Sequence, residues 1–275
     1  MTLHIHTPSY PLSEFIGAII YYDGLEPAHQ LDRFLPDGNT ELIINLDEKP
    51  QYIYDNETLA VIQTCRHAWV SGVRTRPITI PSGRGSKMLI VAFRKGKAHP
   101  FYPLPVNEFK DMVLEADLVF GKSVLDLREQ LLACPSTGKM FCLVEQFLLR
   151  LGRNTLSPDS ASRCIEYALS SIILQPDNIR LPQLSDQIGY SQKHLIGLFK
   201  KQVGIPPKQY MKIMRFQKII LELEKKISTD WSSMALQNGF YDQSHFIHEF
   251  RNFSGFTPGE YLQRKADTLN YVPVL

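Results

Sequence analysis

Two helical faces near the carboxyl end carry side chains suited to the edges of base pairs and the phosphates beside them. The first holds Gln192, Lys193, Ile196, Gly197, Lys200 and Lys201, and the second holds Gln243, Ser244, His245, Ile247, His248 and Arg251. Lysine and arginine donate to phosphate oxygens or purine acceptors, and Gln, Ser and His can donate or accept at a base edge. Acids are scarce on both faces, which keeps them compatible with a polyanion. The plainer alternative is two amphipathic hairpins whose charges are simply solvated.

The elements that would position these faces occur twice. Residues 189–211 read GYSQKHLIGLFKKQVGIPPKQYM and residues 239–262 read GFYDQSHFIHEFRNFSGFTPGEYL. At a shift of 51, Leu195, Ile196 and Phe199 fall on Phe246, Ile247 and Phe250, while Gly204, Pro207 and Tyr210 fall on Gly255, Pro258 and Tyr261. Gly189 pairs with Gly239 at a shift of 50, so the second copy has one extra residue just after Phe240. Each copy has the grammar of a helix–turn–helix. A short apolar stripe (Leu184 and Ile188; Met234 and Ala235) stops at a glycine, and Ser191 or Asp242 can cap the next helix. Leu195, Leu198 and Phe199 form one inner stripe; Phe246, Glu249, Phe250 and Phe253 form the other. A unit duplicated once indicates two copies of a small module, not a solenoid.

In these motifs the chain resembles the DNA-binding domain of the AraC family of bacterial transcription regulators, over about residues 160–265. GFYDQSHFIHEFRNFSGFTPGEY is similar to the family's second-unit signature, and GYSQKHLIGLFKKQVGIPPKQY matches the first. The resemblance implies two helix–turn–helix units joined by a central helix, here Pro207 to about Lys226, with Tyr210, Ile213, Met214, Ile220 and Leu221 inward. It implies double-stranded DNA as partner and RNA polymerase as a second one, in a cytoplasmic regulator that is either an activator or a repressor. It places DNA contacts on Ser191, Gln192, Lys193, Ile196, Gly197, Lys200, Lys201, Gln243, Ser244, His245, His248 and Arg251. Within that set the base-reading positions match Lys193, Ile196, Gly197 and Lys200, then Ser244, His245, His248 and Arg251. Gly197 and His248 stand where relatives often have arginine, so a bidentate guanine contact is missing there. The first unit is therefore expected to lean on phosphate contacts from Lys193, Lys200 and Lys201.

Charge follows the same division. Residues 176–275 carry 13 Lys+Arg against 9 Asp+Glu, and residues 1–175 carry 17 against 19. The excess is small, so salt-sensitive binding is expected from two paired modules more than from a strong overall field. The four cysteines (Cys65, Cys134, Cys142, Cys164) make no C-x-x-C pair and suit reduced thiols. No signal-like leader and no 18-residue apolar run stands out. A soluble, intracellular protein without a membrane partner is the expectation.

The first half reads as strands. FIGAIIYYDG, TELIINLDEKP, YIYDN, AVIQT, AWVSGV, PITIPSG and MLIVAF alternate with Gly, Pro, Asn and Asp, as in a sandwich or barrel. This region resembles the cupin-like sensor domains found upstream of AraC-type DNA-binding units. The fold expected is α+β: an N-terminal cupin-like β-barrel or sandwich with trailing helices, then an all-α domain with two helix–turn–helix units. Metal-dependent cupins use an H-x-H pair with a later glutamate and histidine. Here the H-x-H is His4-Ile5-His6, ahead of the first expected strand, and His29, His67 and His99 are scattered. Neither a G-x-S-x-G elbow nor a histidine-paired nucleophile is present. No catalysis and no metal or other cofactor is expected, and a cupin enzyme with a helical interaction tail is the alternative.

A small-molecule effector in the barrel mouth is the more natural use. Arg33, Trp69 and Arg74, with Arg76, are the candidates, because guanidinium forks and aromatic faces suit anionic or planar ligands. Core packing of Trp69 with solvated arginines is the competing account.

Helical stripes link the halves. Val124, Leu127, Leu131 and Leu132 form one, and Phe141, Val144, Phe147, Leu148 and Leu151 the other, broken by Pro135 to Gly138. They could pack on the barrel or make a homodimer. Asn154 to Asp159 is the expected linker, and Ile165, Leu169, Ile172 and Ile173 mark the first helix beyond it. The domains expected are 1–153 for sensing or dimerisation, 154–265 for DNA, and a loosely ordered tail, 266–275.

Overall fold

Alternating apolar residues and turn signals do build strands in the first 115 residues, and the strands divide between two facing sheets. The computed structural model describes residues 2–153, 155–156, 159–225 and 230–274. The strands are β1 (Thr2–His6), β2 (Ile16–Asp23), β3 (Leu31–Phe34), β4 (Glu41–Asn45), β5 (Gln51–Tyr54), β6 (Val61–Cys65), β7 (Ala68–Ser71), β8 (Ile78–Pro81), β9 (Lys87–Phe93) and β10 (Val113–Glu115). One last strand, β11 (Tyr271–Pro273), comes from the far end of the chain. The six-stranded sheet runs β1-β2-β9-β4-β7-β10 and the five-stranded sheet runs β11-β3-β8-β5-β6.

The period-two geometry of a strand splits the six-stranded sheet into two faces. Ile19, Leu42, Ile44, Ala68, Val70, Leu89 and Val91 share one core with helices of the linking region. Their neighbours in sequence, including Glu41, Ile43, Trp69 and Ile90, look the other way, toward the second sheet. The linking helices are α1 (Ala116–Phe120), α2 (Lys122–Leu132) and α3 (Thr137–Leu151). Val124, Leu127, Leu131, Val144, Phe147 and Leu148 are buried in that core, so the stripes pack on the sheet. Leu132 lies off the stripe at 40% exposure. The break is shorter than expected, because Gly138 already lies in α3.

The C-terminal half is helical: α4 (Ser160–Leu174), α5 (Leu181–Ile188), α6 (Gln192–Val203), α7 (Pro207–Glu224), α8 (Trp231–Gln237), α9 (Gln243–Ser254) and α10 (Pro258–Arg264). Ile165, Leu169 and Ile172 of α4 are buried and Ile173 is half out, as is Leu221 on α7. The remaining expected residues of the α7 stripe, Tyr210, Ile213, Met214 and Ile220, are buried. Lys226 and much of the expected linker, Asn154, Ser157 and Pro158, lie outside the described residues.

Two expectations are corrected here. The tail is not loose. Tyr271, Val272 and Pro273 pair antiparallel with Phe34, Arg33 and Asp32, so the chain end completes the second sheet. The peptide groups of Leu35 and Val274 donate at 2.9 Å to Asn270 and Leu31, and Val272 is buried among helical-domain side chains. The pairing wins because it satisfies the backbone of β3 on its otherwise open edge. The His4-Ile5-His6 pair likewise is not ahead of the first strand but within it, on the edge strand β1. There His6 stacks on Phe141 at 4.9 Å and meets Glu145 at 2.9 Å.

Candidate nucleic-acid interface and inter-sheet cavity

Each helix–turn–helix is set by the local signals expected of it. Gly189 and Gly239 close α5 and the turn after α8 with φ of +77° and +72°, a conformation that costs glycine little. Ser191 then caps α6, its hydroxyl accepting from the His194 N–H at 3.3 Å, and the Asp242 carboxylate caps α9 from the His245 N–H at 2.7 Å. The repeat extends to the packing. Phe199 meets Tyr210 with ring centroids 5.6 Å apart at 71°, and the equivalent Phe250 meets Tyr261 at 5.7 Å and 71°. Buried Glu249 ties α9 to α7 through Lys212 at 2.6 Å and Arg215 at 3.5 Å.

With those inner faces fixed, the outer faces point to solvent. Ser191, Gln192, Lys193, Gly197, Lys200, Lys201, Gln243, Ser244, His245, His248 and Arg251 are all exposed, and Ile196 is half-buried against the core. Among the described residues Lys193, Lys200 and Lys201 make no ion pair, so their charges are available to phosphate. Space beside Gly197 is open. Members of the set besides the capping Ser191 also have structural contacts. Gln243 accepts from the Ser232 hydroxyl at 2.9 Å, and His245 packs edge-on against Phe240. The Asn252 amide sits 3.3 Å from Nδ1 of His248. With that amide as donor, Nε2–H faces outward, a donor suited to O6 or N7 of guanine. Tyr241, 88% exposed, occupies the position of the second copy's extra residue, and sequence reading missed it. The insertion itself was the available signal.

The effector candidates separate. Trp69 lines a cavity of about 690 Å³ between the two sheets, together with Tyr22, Glu41, Tyr52, Met88 and Tyr271. Arg33 lies elsewhere. It donates to Thr79 Oγ1 at 3.3 Å and to the Asn56 carbonyl, and its guanidinium lies 5.0 Å from the Phe256 ring of the helical half. Arg74 is buried outside the cavity lining, with Nε and Nη1 lacking a hydrogen-bond partner among the described residues, and Arg76 is exposed. Expected as ligand contacts, these arginines sit away from the space a ligand could enter. Among the described residues no group of three or more His, Cys, Asp or Glu side chains is placed to hold a metal. No described helix is long and apolar enough to cross a membrane.

The two halves are joined. Gln217 of α7 donates at 2.8 Å to the Pro36 carbonyl and to Asn270 Oδ1, and Asn270 Nδ2 donates back at 3.2 Å. Leu35 and Val73 of the N-terminal half are buried in the same core as Phe199 and Tyr210. Gly204, just past α6, abuts Val73 and Val106. Lys97 pairs with Glu166 of α4.

Comparison with known proteins matches one family model in each half of the chain. Residues 184–264 match a helix-turn-helix domain family, and residues 4–115 match a domain family of unknown function, DUF6597. The chain is 39% identical over 69 residues to the HTH-type transcriptional regulator YbfI of Bacillus subtilis, covering 25% of this chain and 24% of that protein. It is 28% identical over 103 residues to an HTH-type transcriptional regulator of Haemophilus influenzae, covering 37% and 34%. The chain thus spans about a third or less of the curated relatives it matches. Among solved structures, ToxT of Vibrio cholerae aligns over 96% of this chain and 98% of its own, at 10% identity and TM-score 0.44. A form of ToxT with an unsaturated fatty acid bound aligns over 89% and 94%, at 14% identity and TM-score 0.42. Two family matches thus lie in separate parts of the chain, a helix-turn-helix domain over residues 184–264 behind a DUF6597 domain over residues 4–115.

Proposed function

We propose that the chain is a sequence-specific DNA-binding transcription regulator of the cytoplasm, modulated by a small molecule in the inter-sheet cavity, and not an enzyme. Residues 1–153 are the sensor, residues 154–265 the DNA reader, and residues 266–275 a strap that returns from reader to sensor. One observation carries the DNA reading: two capped helices built on the same packing unit each present an exposed, nearly acid-free face. Lys193, Lys200, Lys201 and Arg251 then supply phosphate and base contacts, with Ser244, His245 and His248 at base edges. The effector reading rests on the cavity wall. Ala266, Asp267, Thr268 and Tyr271 line it, and the same segment hydrogen-bonds α7 through Asn270. A ligand there touches the strap directly, and Trp69 is its aromatic contact on the opposite sheet. A bound RNA polymerase and a second copy of the chain are further partners consistent with such a regulator.

The test is binding by the full chain to a randomised duplex library. Two half-elements about 10 base pairs apart are expected, because two recognition helices on one side of DNA meet successive major grooves. Inserting about 5 base pairs between them should abolish the preference, since it turns the second element to the far side. Equal binding to all spacings would refute paired reading.

A further inference from the structure

The chemistry of the cavity identifies the kind of ligand, given that the cavity is the effector site. Among the described residues, every charged side chain on its wall is acidic (Glu26, Asp32, Glu41 and Asp267), with His29 already paired to Asp32 at 2.8 Å and no lysine or arginine there. Glu41 stands in the middle of the six-stranded sheet, opposite Ser71 on β7 and Ala92 on β9. It is half-buried, and its side chain lines the cavity. Among the described residues its carboxylate has neither a hydrogen bond nor an ion pair. A carboxyl group set into a largely apolar wall without a protein partner gains nothing for the fold, and a purely structural strand would carry an apolar residue there. Aromatic side chains line the same cavity: Tyr22 of β2, Tyr52 of β5, Trp69 of β7 and Tyr271 of β11. Aromatic faces and a carboxylate attract cations and repel anions.

The geometry points to a binding site for an organic cation, an alkyl- or arylammonium compound whose charged nitrogen meets Glu41 and whose apolar body lies between Trp69 and the tyrosines. At about 690 Å³ the space matches such a molecule. This is opposite to the anionic ligand suggested by Arg33 and Arg74, neither of which lines the wall. Burial, followed by the charge of Asp37, pushes the Glu41 carboxyl up to about 8. Tyr22, Tyr102 and Tyr271 also feel its charge, and all three have their own ionisation pushed up, chiefly by burial. At neutral pH the empty site is therefore mostly protonated at Glu41, and an arriving cation releases that proton. Cation affinity should rise with pH until Glu41 is ionised without help.

Three matched probes test this on the full chain with Trp231→Phe, so that Trp69 is the remaining tryptophan. They are 4-phenylbutyltrimethylammonium, its uncharged carbon isostere, and 5-phenylvalerate. The ammonium probe is expected to quench Trp69 and to release protons in calorimetry run in buffers of different ionisation enthalpy. Glu41→Gln should weaken it by roughly 10- to 100-fold while leaving the uncharged isostere within about twofold, which also verifies the fold of the variant. Equal or tighter binding of the uncharged or anionic probe, or an ammonium affinity untouched by Glu41→Gln, overturns the charge assignment and leaves the cavity as a ligand site. Silence of all three probes overturns the cavity as an effector site, and the cation with it.

Discussion

Gln217→Leu tests the junction between the N-terminal and helical halves most directly. The Gln217 amide makes three hydrogen bonds in a buried setting, to the Pro36 carbonyl at 2.8 Å and with both ends of the Asn270 amide at 2.8 and 3.2 Å. Gln217 and Asn270 are 6% and 8% exposed, so water cannot replace the lost partners without opening the junction. A neutral hydrogen bond contributes about 0.5–1.5 kcal/mol net, and an orphaned buried group costs about 1–3 kcal/mol. Leucine fills most of the volume but orphans the Pro36 carbonyl and both polar atoms of Asn270, for a loss of about 2–4 kcal/mol. In a chain of this size that corresponds to roughly 4–8 °C in Tm by far-UV circular dichroism. Asn270 has a φ of +67°, so Asn270→Gly removes the side chain without backbone strain. Adding it to Gln217→Leu should cost less than the sum of the two single changes by about 1 kcal/mol, because the orphaned amide is gone. A Gln217→Leu protein within about 0.5 kcal/mol of the parent, or strict additivity in the double variant, would show that this network does not hold the halves together.

Lys200→Ala should weaken binding to all duplexes about equally and flatten the salt slope by about 1, measured by fluorescence anisotropy across ionic strengths. His248→Ala should instead relax base preference in a library selection, and an unchanged ranking of sites would remove α9 as a reading face. Asp242→Ala strips the cap of α9 and should cost about 1 kcal/mol in urea unfolding. Burial pushes the His99 imidazole down to about 4. The unfolded chain, titrating near 6.5, then binds the extra proton between pH 6.5 and 4. Stability from this residue is therefore complete above about 6.5 and declines as pH falls toward 4. His99→Gln should give a flatter stability profile than the parent over that window, and parallel profiles would refute the burial argument. Deleting residues 266–275 should leave duplex binding intact and shift Trp69 emission to the red, as the cavity loses Tyr271; unchanged emission would count against the strap.

Local chemistry made much of this protein legible before any coordinates. Glycine turns, Ser191 and Asp242 as caps, and three- and four-residue apolar spacing specify α5 to α9 because helices close their hydrogen bonds within one segment. The exposed faces of α6 and α9 followed as whatever those stripes left outside. Most strands of the first half were visible from alternation for a similar reason. What the sequence could not reveal was which strands meet. The pairing of Tyr271 with Phe34 spans more than 200 residues and has no local signature. Without it the tail looks like an end and not a strap. Arg33 and Trp69 looked alike as pocket residues, yet register sends one to the Phe256 ring and the other into the cavity. Glu41 attracted no notice in ELIIN, because a carboxylate beginning a strand usually meets water. Only the second sheet, laid across that face, sets it on the wall of a cavity that aromatic side chains also line.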